Sequence, residues 1–248
     1  MLCAVIPAAG RGSRLGLDCP KILAPIDGDT TIWSILHEKL RPRVDTICVV
    51  VAPASAGHWP PKAALPPKVV TAYQPEPRGM GHAVFCAWDI WKDYDDLLVI
   101  WGDQVNISEG TLDRSIRAHR CAPAPRLTLP LAETANPYVQ YDFDSAGRLC
   151  RIRQTREGDR TDANGRSDVG LFLLSTAGLK AAWESHLATG QRGANTGELN
   201  FLPLLPFLSC ERRWHVKTIP VADSDEARGI NTPADLAYFR ERLRPIPQ

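Results

Sequence analysis

The residues of this chain best suited to chemistry are a glycine-rich loop with two cations and an aspartate much later in the sequence. The loop reads Val5-Ile6-Pro7-Ala8-Ala9-Gly10-Arg11-Gly12-Ser13-Arg14-Leu15-Gly16 and is followed by Pro20-Lys21. A short apolar run entering a turn of small residues lets backbone N–H groups approach an oxyanion closely. Arg14 and Lys21 bring positive charge to the same turn, and a triphosphate is the ligand that such a cradle suits. Trp101-Gly102-Asp103 closes a later apolar run. That places a carboxylate at the carboxyl end of a strand, where ligands of open α/β sheets bind. The same aspartate also reads as an ordinary helix cap.

Two familiar phosphate loops are excluded. A dinucleotide fingerprint, G-x-G-x-x-G, needs glycine where Leu15 stands, and the next strand ends Val51-Ala52-Pro53 with no acidic residue for a ribose. A Walker loop needs a Lys-Ser/Thr pair that the segment lacks. The remaining alternative is a Gly/Ala turn that serves only to pack a strand on a helix.

These groups need a frame, and the apolar patterning supplies one. Residues 3–6, 46–52, 69–73 and 97–101 are short apolar or β-branched runs that predict buried strands. Residues 30–40 and 79–91 carry apolar side chains at helical spacing. Their alternation predicts βαβ units and a mainly parallel sheet. Residues 138–143 and 149–154 alternate on either side of Ser145-Ala146-Gly147, a hairpin pattern. A strand at 170–174, helices at 176–187 and 198–208, a strand at 215–219 and a helix at 233–243 follow. The last has Thr232 as N-cap and Pro233 at its first position. Residues 53–67 and 158–167 read as loops without regular structure, and 245–248 as a loose tail. With no repeat and no clear linker, residues 1–248 are expected to form a single domain.

The bulk composition narrows the partners. The chain has 248 residues with 29 basic and 28 acidic side chains, a formal charge of +1. That balance argues against a nucleic-acid partner or a polybasic membrane anchor, so an anion site must be built locally. The 7 cysteines show no C-x-x-C spacing, which removes a zinc or redox motif and predicts reduced thiols. No leader pattern and no apolar run of roughly 18 residues is present, and a cytoplasmic location away from membranes is expected.

Four segments in order carry a family likeness. The Gly10–Lys21 loop resembles the G-x-G-x-R…P-K motif of the sugar-1-phosphate nucleotidylyltransferase superfamily. More narrowly, it looks like the pyrophosphorylase domain of N-acetylglucosamine-1-phosphate uridylyltransferases. Gln74-Pro75-Glu76-Pro77-Arg78-Gly79-Met80-Gly81-His82-Ala83 is similar to that family's base-reading segment, and Trp101-Gly102-Asp103 to its metal-binding Gly-Asp. Gly229-Ile230-Asn231-Thr232-Pro233-Ala234-Asp235-Leu236 resembles the late segment supplying a second metal ligand. The likeness spans almost the whole chain but omits the hexapeptide-repeat acetyltransferase half of the bifunctional enzymes.

The resemblance implies an α/β, Rossmann-like nucleotidyltransferase (GT-A-like) three-layer fold with a mixed, mainly parallel central sheet. It implies Mg²⁺ held by Asp103 and Asn231, with Asn231 also readable as a normal helix-start residue. It implies Arg14 and Lys21 on the β- and γ-phosphates, and an NTP (UTP or CTP) whose base and ribose lie against Ala8, Ala9, Gly10, Gly12, Gln74 and Gly79. The reaction implied is in-line attack by an acceptor phosphate on the α-phosphorus, a step that needs positioning and charge more than covalent chemistry. Because that phosphate is already ionised, His82, His119 and His215 need no catalytic role. A non-catalytic nucleotide-binding protein on the same fold is the alternative of another class.

The acceptor side departs from the family. Tyr138-Val139-Gln140 stands for Tyr-Gly-Arg, Gln154 for a sugar-binding Glu, and Asp168 for a sugar-binding Asn. These changes argue against N-acetylglucosamine 1-phosphate and leave room for a cytidylyltransferase acting on a non-sugar phosphate or phosphonate. Pro77 stands where the uridylyltransferases have a second Gln. Trp101, Val139, Gln154, Asp168, Arg153 and Glu198 are expected around the acceptor. Trp101 could equally be core, and Glu198 a helix start. Arg151, Arg153 and Arg156 sit on one hairpin, either reading an extra anionic group or forming a solvated face. Residues 158–167 beside them are either a lid or a surface excursion.

Overall fold

In the computed structural model, which describes residues 1–10, 12 and 15–242, helices cover both faces of one eight-stranded sheet. Strands β1 (Leu2–Pro7), β4 (Thr46–Val51) and β6 (Asp96–Ile100) are almost wholly buried, as strands covered on two faces must be, whereas the edge strand β5 (Val69–Tyr73) is only partly buried. Strand β1 is parallel to β4 and β6, and β4 to β5. Their carboxyl ends therefore share one edge, and everything that follows each strand starts there. A small hairpin of β2 (Pro25–Asp27) and β3 (Thr30–Thr31) lies outside the sheet.

The other half of the sheet turns antiparallel. Strand β11 (Leu171–Ser175) pairs β6 on one side and β7 (Arg126–Ala135) on the other. Strand β12 (His215–Val221) runs parallel along β7, and β10 (Asn164–Asp168) pairs its far end antiparallel. Strands β8 (Val139–Phe143) and β9 (Leu149–Gln154) form the separate predicted hairpin. The order is β10-β7-β11-β6-β1-β4-β5, with β12 on β7. The mixed, mainly parallel three-layer expectation is met.

Side-chain alternation divides the core in two. Ala4, Ile6, Leu98 and Ile100 face α1 (Ile32–Leu40), α4 (Glu109–Cys121) and α7 (Pro233–Arg242). Cys3, Val5, Leu97 and Val99 face α2 (Met80–Cys86), α3 (Trp88–Trp91), α5 (Leu179–Ala188) and α6 (Leu204–Cys210). Helix α7 starts as expected: the Thr232 hydroxyl accepts the Asp235 N–H at 3.2 Å, and Asp235 accepts the Thr232 N–H at 2.9 Å. Residues 245–248 lie outside the described residues.

Three expectations are corrected. Residues 79–91 are not one helix, because the Trp91 indole donates to the Val84 carbonyl at 3.0 Å and the chain leaves helical geometry at Ala87. The helix expected from residue 198 begins at Leu204 instead. Leu199 spends its N–H on the Arg78 carbonyl at 2.7 Å and its own carbonyl on Gly81 at 2.9 Å. Residues 158–167 are not all loop, since β10 starts at Asn164. Gly165 within it admits the Gln140 side chain, whose Cδ would stand 2.8 Å from any Cβ there.

The sheet end opposite the shared carboxyl edge holds a buried ion network. Arg126 donates to both Asp96 oxygens at 3.0 and 3.1 Å, and His119 bridges Asp96 and Thr128 at 3.1 and 2.9 Å. Burial pushes the Asp96 carboxyl up, but the bonds from His119 and Arg126 hold it below its ordinary range. Removing the carboxylate would strand a guanidinium in the interior. Asp96→Ala is expected to cost about 3 kcal/mol of unfolding free energy, checked by urea denaturation followed by circular dichroism.

Candidate active site

The first site residue follows from the chain's path after β1. Pro20 leads into a single turn, Lys21–Leu23, which aims Lys21 back across the sheet edge. Its Nζ lies 2.6 Å from Asp103 Oδ2 and 2.9 Å from Asn231 Oδ1. The three groups are part-buried, with the Lys21 and Asp103 side chains 21% and 17% exposed. Thus the turn after β1, the end of β6 and the start of α7 meet at one cation.

Close backbone approach makes the meeting possible. Gly12 has φ +61°, and a Cβ there would stand 2.9 Å from Lys21 Cβ. A Cβ at Gly102 would lie 3.1 Å from the Pro7 carbonyl, so the end of β6 rests on the end of β1. Gly229 lies against the Asp103 carboxylate, and Ile230 N–H donates to the Asp103 carbonyl at 3.1 Å. Asp235 then holds the Asn231 N–H at 3.1 Å. Arg14 lies outside the described residues.

The expected nucleotide side lines the same edge. Ala8 and Ala9 are each 9% exposed, Gly10 is exposed, and Gly12 is half-buried. Gln74 directly follows β5, where its N–H donates to the Val51 carbonyl at 2.9 Å. Its side chain is buried and donates from Nε2 to the Gly79 carbonyl at 3.0 Å, with His82 Nδ1 at 3.0 Å. Gly79 has φ +108°, and a Cβ there would stand 2.8 Å from Glu198 Cβ. A Cβ at Gly81 would stand 2.5 Å from the Trp183 ring. Both glycines are therefore required by protein packing.

The acceptor-side expectations divide. Val139 and Gln154 pair across the hairpin, and both are half-buried. Trp101 is core-like, packed on Phe172 and Phe201 at ring separations of 4.8 and 5.6 Å. Glu198 is ion-paired with Arg156 at 2.6 Å. Arg151 meets Asp159 at 2.8 Å, while Arg153 is held between Asp142 at 2.8 Å and Asp162 at 2.7 Å. Each of the three guanidiniums thus meets a carboxylate of the chain itself. Gln140 joins the same clamp, donating to Asp162 at 2.7 Å and accepting its N–H at 2.8 Å.

Asp168 is buried, accepting from the Tyr141 hydroxyl at 3.0 Å and the Gly170 N–H at 2.8 Å. Tyr141 is a site-side residue that sequence reasoning passed over, as is Gln104, the neighbour of Asp103. Gln104 is 6% exposed, and its Oε1 has no partner among the described residues. The signal for Tyr141 was its inward place in the β8 alternation; Gln104 gave none.

Among the described residues, no cluster of three or more His, Cys, Asp or Glu side chains could hold a metal. One carboxylate oxygen and one amide oxygen do converge on a cation at Lys21 Nζ. That hard-oxygen pair fits a Mg²⁺ whose other ligands are phosphates and water.

Parallel strands ending together at a glycine-lined turn, a lysine and a carboxylate make the kind of edge at which open α/β sheets bind their ligands. The chain belongs to the MobA-like NTP transferase family, whose domain model matches residues 4–162. It is 31% identical over 251 residues to the bifunctional protein GlmU of Rubrobacter xylanophilus, covering 98% of this chain and 50% of that protein. With GlmU of Thermotoga maritima the identity is 33% over 246 residues, 97% of this chain and 51% of that one. The chain thus spans about half the length of these curated relatives. Among solved structures, a Bacillus anthracis protein assigned as a glucose-1-phosphate thymidylyltransferase, in complex with sucrose, shares the fold. Its TM-score is 0.73 at 15% identity, covering 100% of this chain and 97% of that one. 4-Diphosphocytidyl-2C-methyl-D-erythritol synthase of Anaerococcus prevotii has a TM-score of 0.67 at 15% identity, with 98% of each chain covered.

Burial raises the Asp168 carboxyl from the ordinary 3.8 to about 6; the Gly170 and Tyr141 hydrogen bonds oppose the rise and the Asp103 charge adds to it. Below the ordinary value, folded and unfolded chains both bind the proton; from there to about 6, only the folded chain keeps it. Stability therefore falls as pH rises through that window and stays lower above it, by on the order of 3 kcal/mol. Asp168→Asn, which cannot ionise, is expected to flatten this decline in urea denaturation measured across the same pH range.

Proposed function

We propose that this chain is a Mg²⁺-dependent nucleotidyltransferase that moves UMP or CMP from the NTP to a phosphorylated small molecule and releases pyrophosphate. The observation that carries the reading is the convergence of Lys21, Asp103 and Asn231 at the edge where β1, β4, β5 and β6 end. Family membership supports nucleotidyl transfer, and the GlmU relatives support a sugar-phosphate-like acceptor.

In this mechanism, the small-residue turn after β1 offers amides to the triphosphate. Lys21, together with Arg14 by family likeness, draws charge from the β- and γ-phosphates and steadies the leaving pyrophosphate. Asp103 and Asn231 would hold Mg²⁺, which supplies charge neutralisation at the α-phosphate and the acceptor phosphate when bound. Ala8, Ala9 and the Gln74–Gly79 segment set the base, and in-line transfer requires the acceptor oxygen to be held opposite the leaving pyrophosphate at the α-phosphorus. The acceptor phosphate is the nucleophile, so no side chain needs to remove its proton.

The acceptor region differs from that expected for N-acetylglucosamine 1-phosphate. Val139, Gln154 and the buried Asp168 replace the family residues, and Arg153 is committed to Asp142 and Asp162. These replacements keep a second reading open, a cytidylyltransferase for a non-sugar phosphate or phosphonate. No helix among the described residues is long and apolar enough to cross a membrane. All seven cysteines are free, which supports a reducing, cytoplasmic setting.

A panel of NTPs against neutral and acidic phosphorylated acceptors, read by product mass and pyrophosphate release, tests the reading. Asp103→Ala and Lys21→Ala are each expected to lower turnover by about 100-fold or more while the circular dichroism spectrum is kept. Near-normal turnover in either variant contradicts the mechanism. Nucleotide binding with no pyrophosphate release from any pair favours a non-catalytic binding protein.

A further inference from the structure

One carboxylate organises residues 193–200. Glu157 closes the short turn Thr155–Glu157 after β9 and is half-buried. Its Oε2 accepts the N–H groups of Asn195 and Thr196 at 3.0 and 3.2 Å, and its Oε1 the Thr196 hydroxyl and Asn200 Nδ2 at 2.7 and 2.9 Å. Two successive backbone N–H groups aimed at one anion make an anion-binding nest, and here the anion belongs to the chain itself. A Cβ at Gly193 would stand 2.6 and 2.7 Å from the two carboxylate oxygens, so only glycine leaves room for them. The loop closes through Gly197 N–H to the Gly193 carbonyl at 2.8 Å and Gly193 N–H to the Glu198 carbonyl at 2.9 Å. Burial pushes the Glu157 carboxyl up, but the bonds from Thr196, Asn200 and the two amides hold it below the ordinary glutamate range.

The far end of the loop seats the turn ahead of α2. Leu199 donates to the Arg78 carbonyl at 2.7 Å and accepts from Gly81 N–H at 2.9 Å. Gly79 rests on Glu198 and Leu199, and its carbonyl accepts from Gln74 Nε2 at 3.0 Å. A glutamate beside the acceptor hairpin is thereby joined through packed backbone to Gln74 and Gly79.

We propose that Glu157 is a positioning residue for the nucleotide: by filling the nest at 195–196 it fixes the loop that seats residues 78–81, so its loss is read at the NTP although it stands on the acceptor side. This inference rests on the NTP-site reading of residues 74–81. A residue that shaped only its own surroundings would move the acceptor parameters or overall stability instead.

The test is steady-state kinetics on the full chain, varying NTP at saturating acceptor and then the reverse, with circular dichroism on every variant. Glu157→Gln is expected to raise the NTP KM roughly 10-fold, with kcat and acceptor KM changing less than about threefold. Thr196→Val, which removes one donor and spares the backbone, should raise the NTP KM less. The double variant should do no worse than Glu157→Gln alone, because both act through one contact. If Glu157→Gln does not fold, Thr196→Val carries the test. An unchanged NTP KM in folded variants, a shift confined to the acceptor KM, or additive losses in the double variant overturns the proposal. Absence of wild-type turnover on every NTP and acceptor overturns the NTP-site reading itself, and is distinguishable because no KM can then be measured.

Discussion

The site depends on one ammonium group shared between two oxygens. Lys21 is 82 residues from Asp103 and 210 from Asn231, yet its Nζ touches both side chains. Nothing local in the sequence makes those contacts. They exist because parallel β1 and β6 end at the same edge and because the turn before α7 is fastened to Asp103 by the Ile230 N–H. Without the cation, a part-buried carboxylate would face an amide oxygen with no positive partner between them. Lys21 therefore balances the carboxylate at this meeting point, and its long stem is what reaches both oxygens.

Around that point, segments approach through backbone rather than through side chains. The end of β6 lies on the end of β1 at Gly102, and Gly229 lies on the Asp103 carboxylate. Gly79 and Gly81 lie on residues 198–200 in the same manner. Backbone-to-backbone seams have few rotamers to explore, so groups attached to them are held more narrowly than groups on long side chains. The region around the β8–β9 hairpin is built differently. There, the Arg153 clamp to Asp142 and Asp162 and the Arg156–Glu198 pair hold the hairpin, its neighbouring loop and residue 198 with exposed or half-buried charges. Such contacts are weaker and more sensitive to salt than buried ones.

Much of the nucleotide half was legible in the sequence. Continuous apolar or β-branched runs marked β1, β4, β5 and β6, most plainly β1, β4 and β6, which are buried inside the sheet. What escaped was hidden by polar residues in buried places. Helix α4 buries Thr111, Ser115 and His119 beside Leu112 and Ile116, so its inward face does not read as apolar. Strand β7 carries Pro130, which argues against a central strand. In the fold it falls between the β11 pairing, which reaches Thr128, and the β10 pairing, which begins at Leu131. The acidic partners of Arg151, Arg153 and Arg156 were present in the sequence, but only the folded hairpin and its neighbouring loops bring them into reach. Family likeness located Asp103 and Asn231; the contact of each with Lys21 needed coordinates.

Strand β6 opens on Asp96, and Asp103 follows in the turn three residues past its last residue, with Leu97–Ile100 fully buried between them. At a rise of about 3.3 Å per residue the strand alone separates its two ends by roughly 13 Å. Unit charges at least that far apart couple by no more than about 1.3 kcal/mol at an effective dielectric constant near 20. The strand thus works as an insulating rod between a carboxylate held by Arg126 and His119 at its base and one held by Lys21 just past its tip. Evolution or an engineer can retune the robustness of the base without disturbing the electrostatics of the tip.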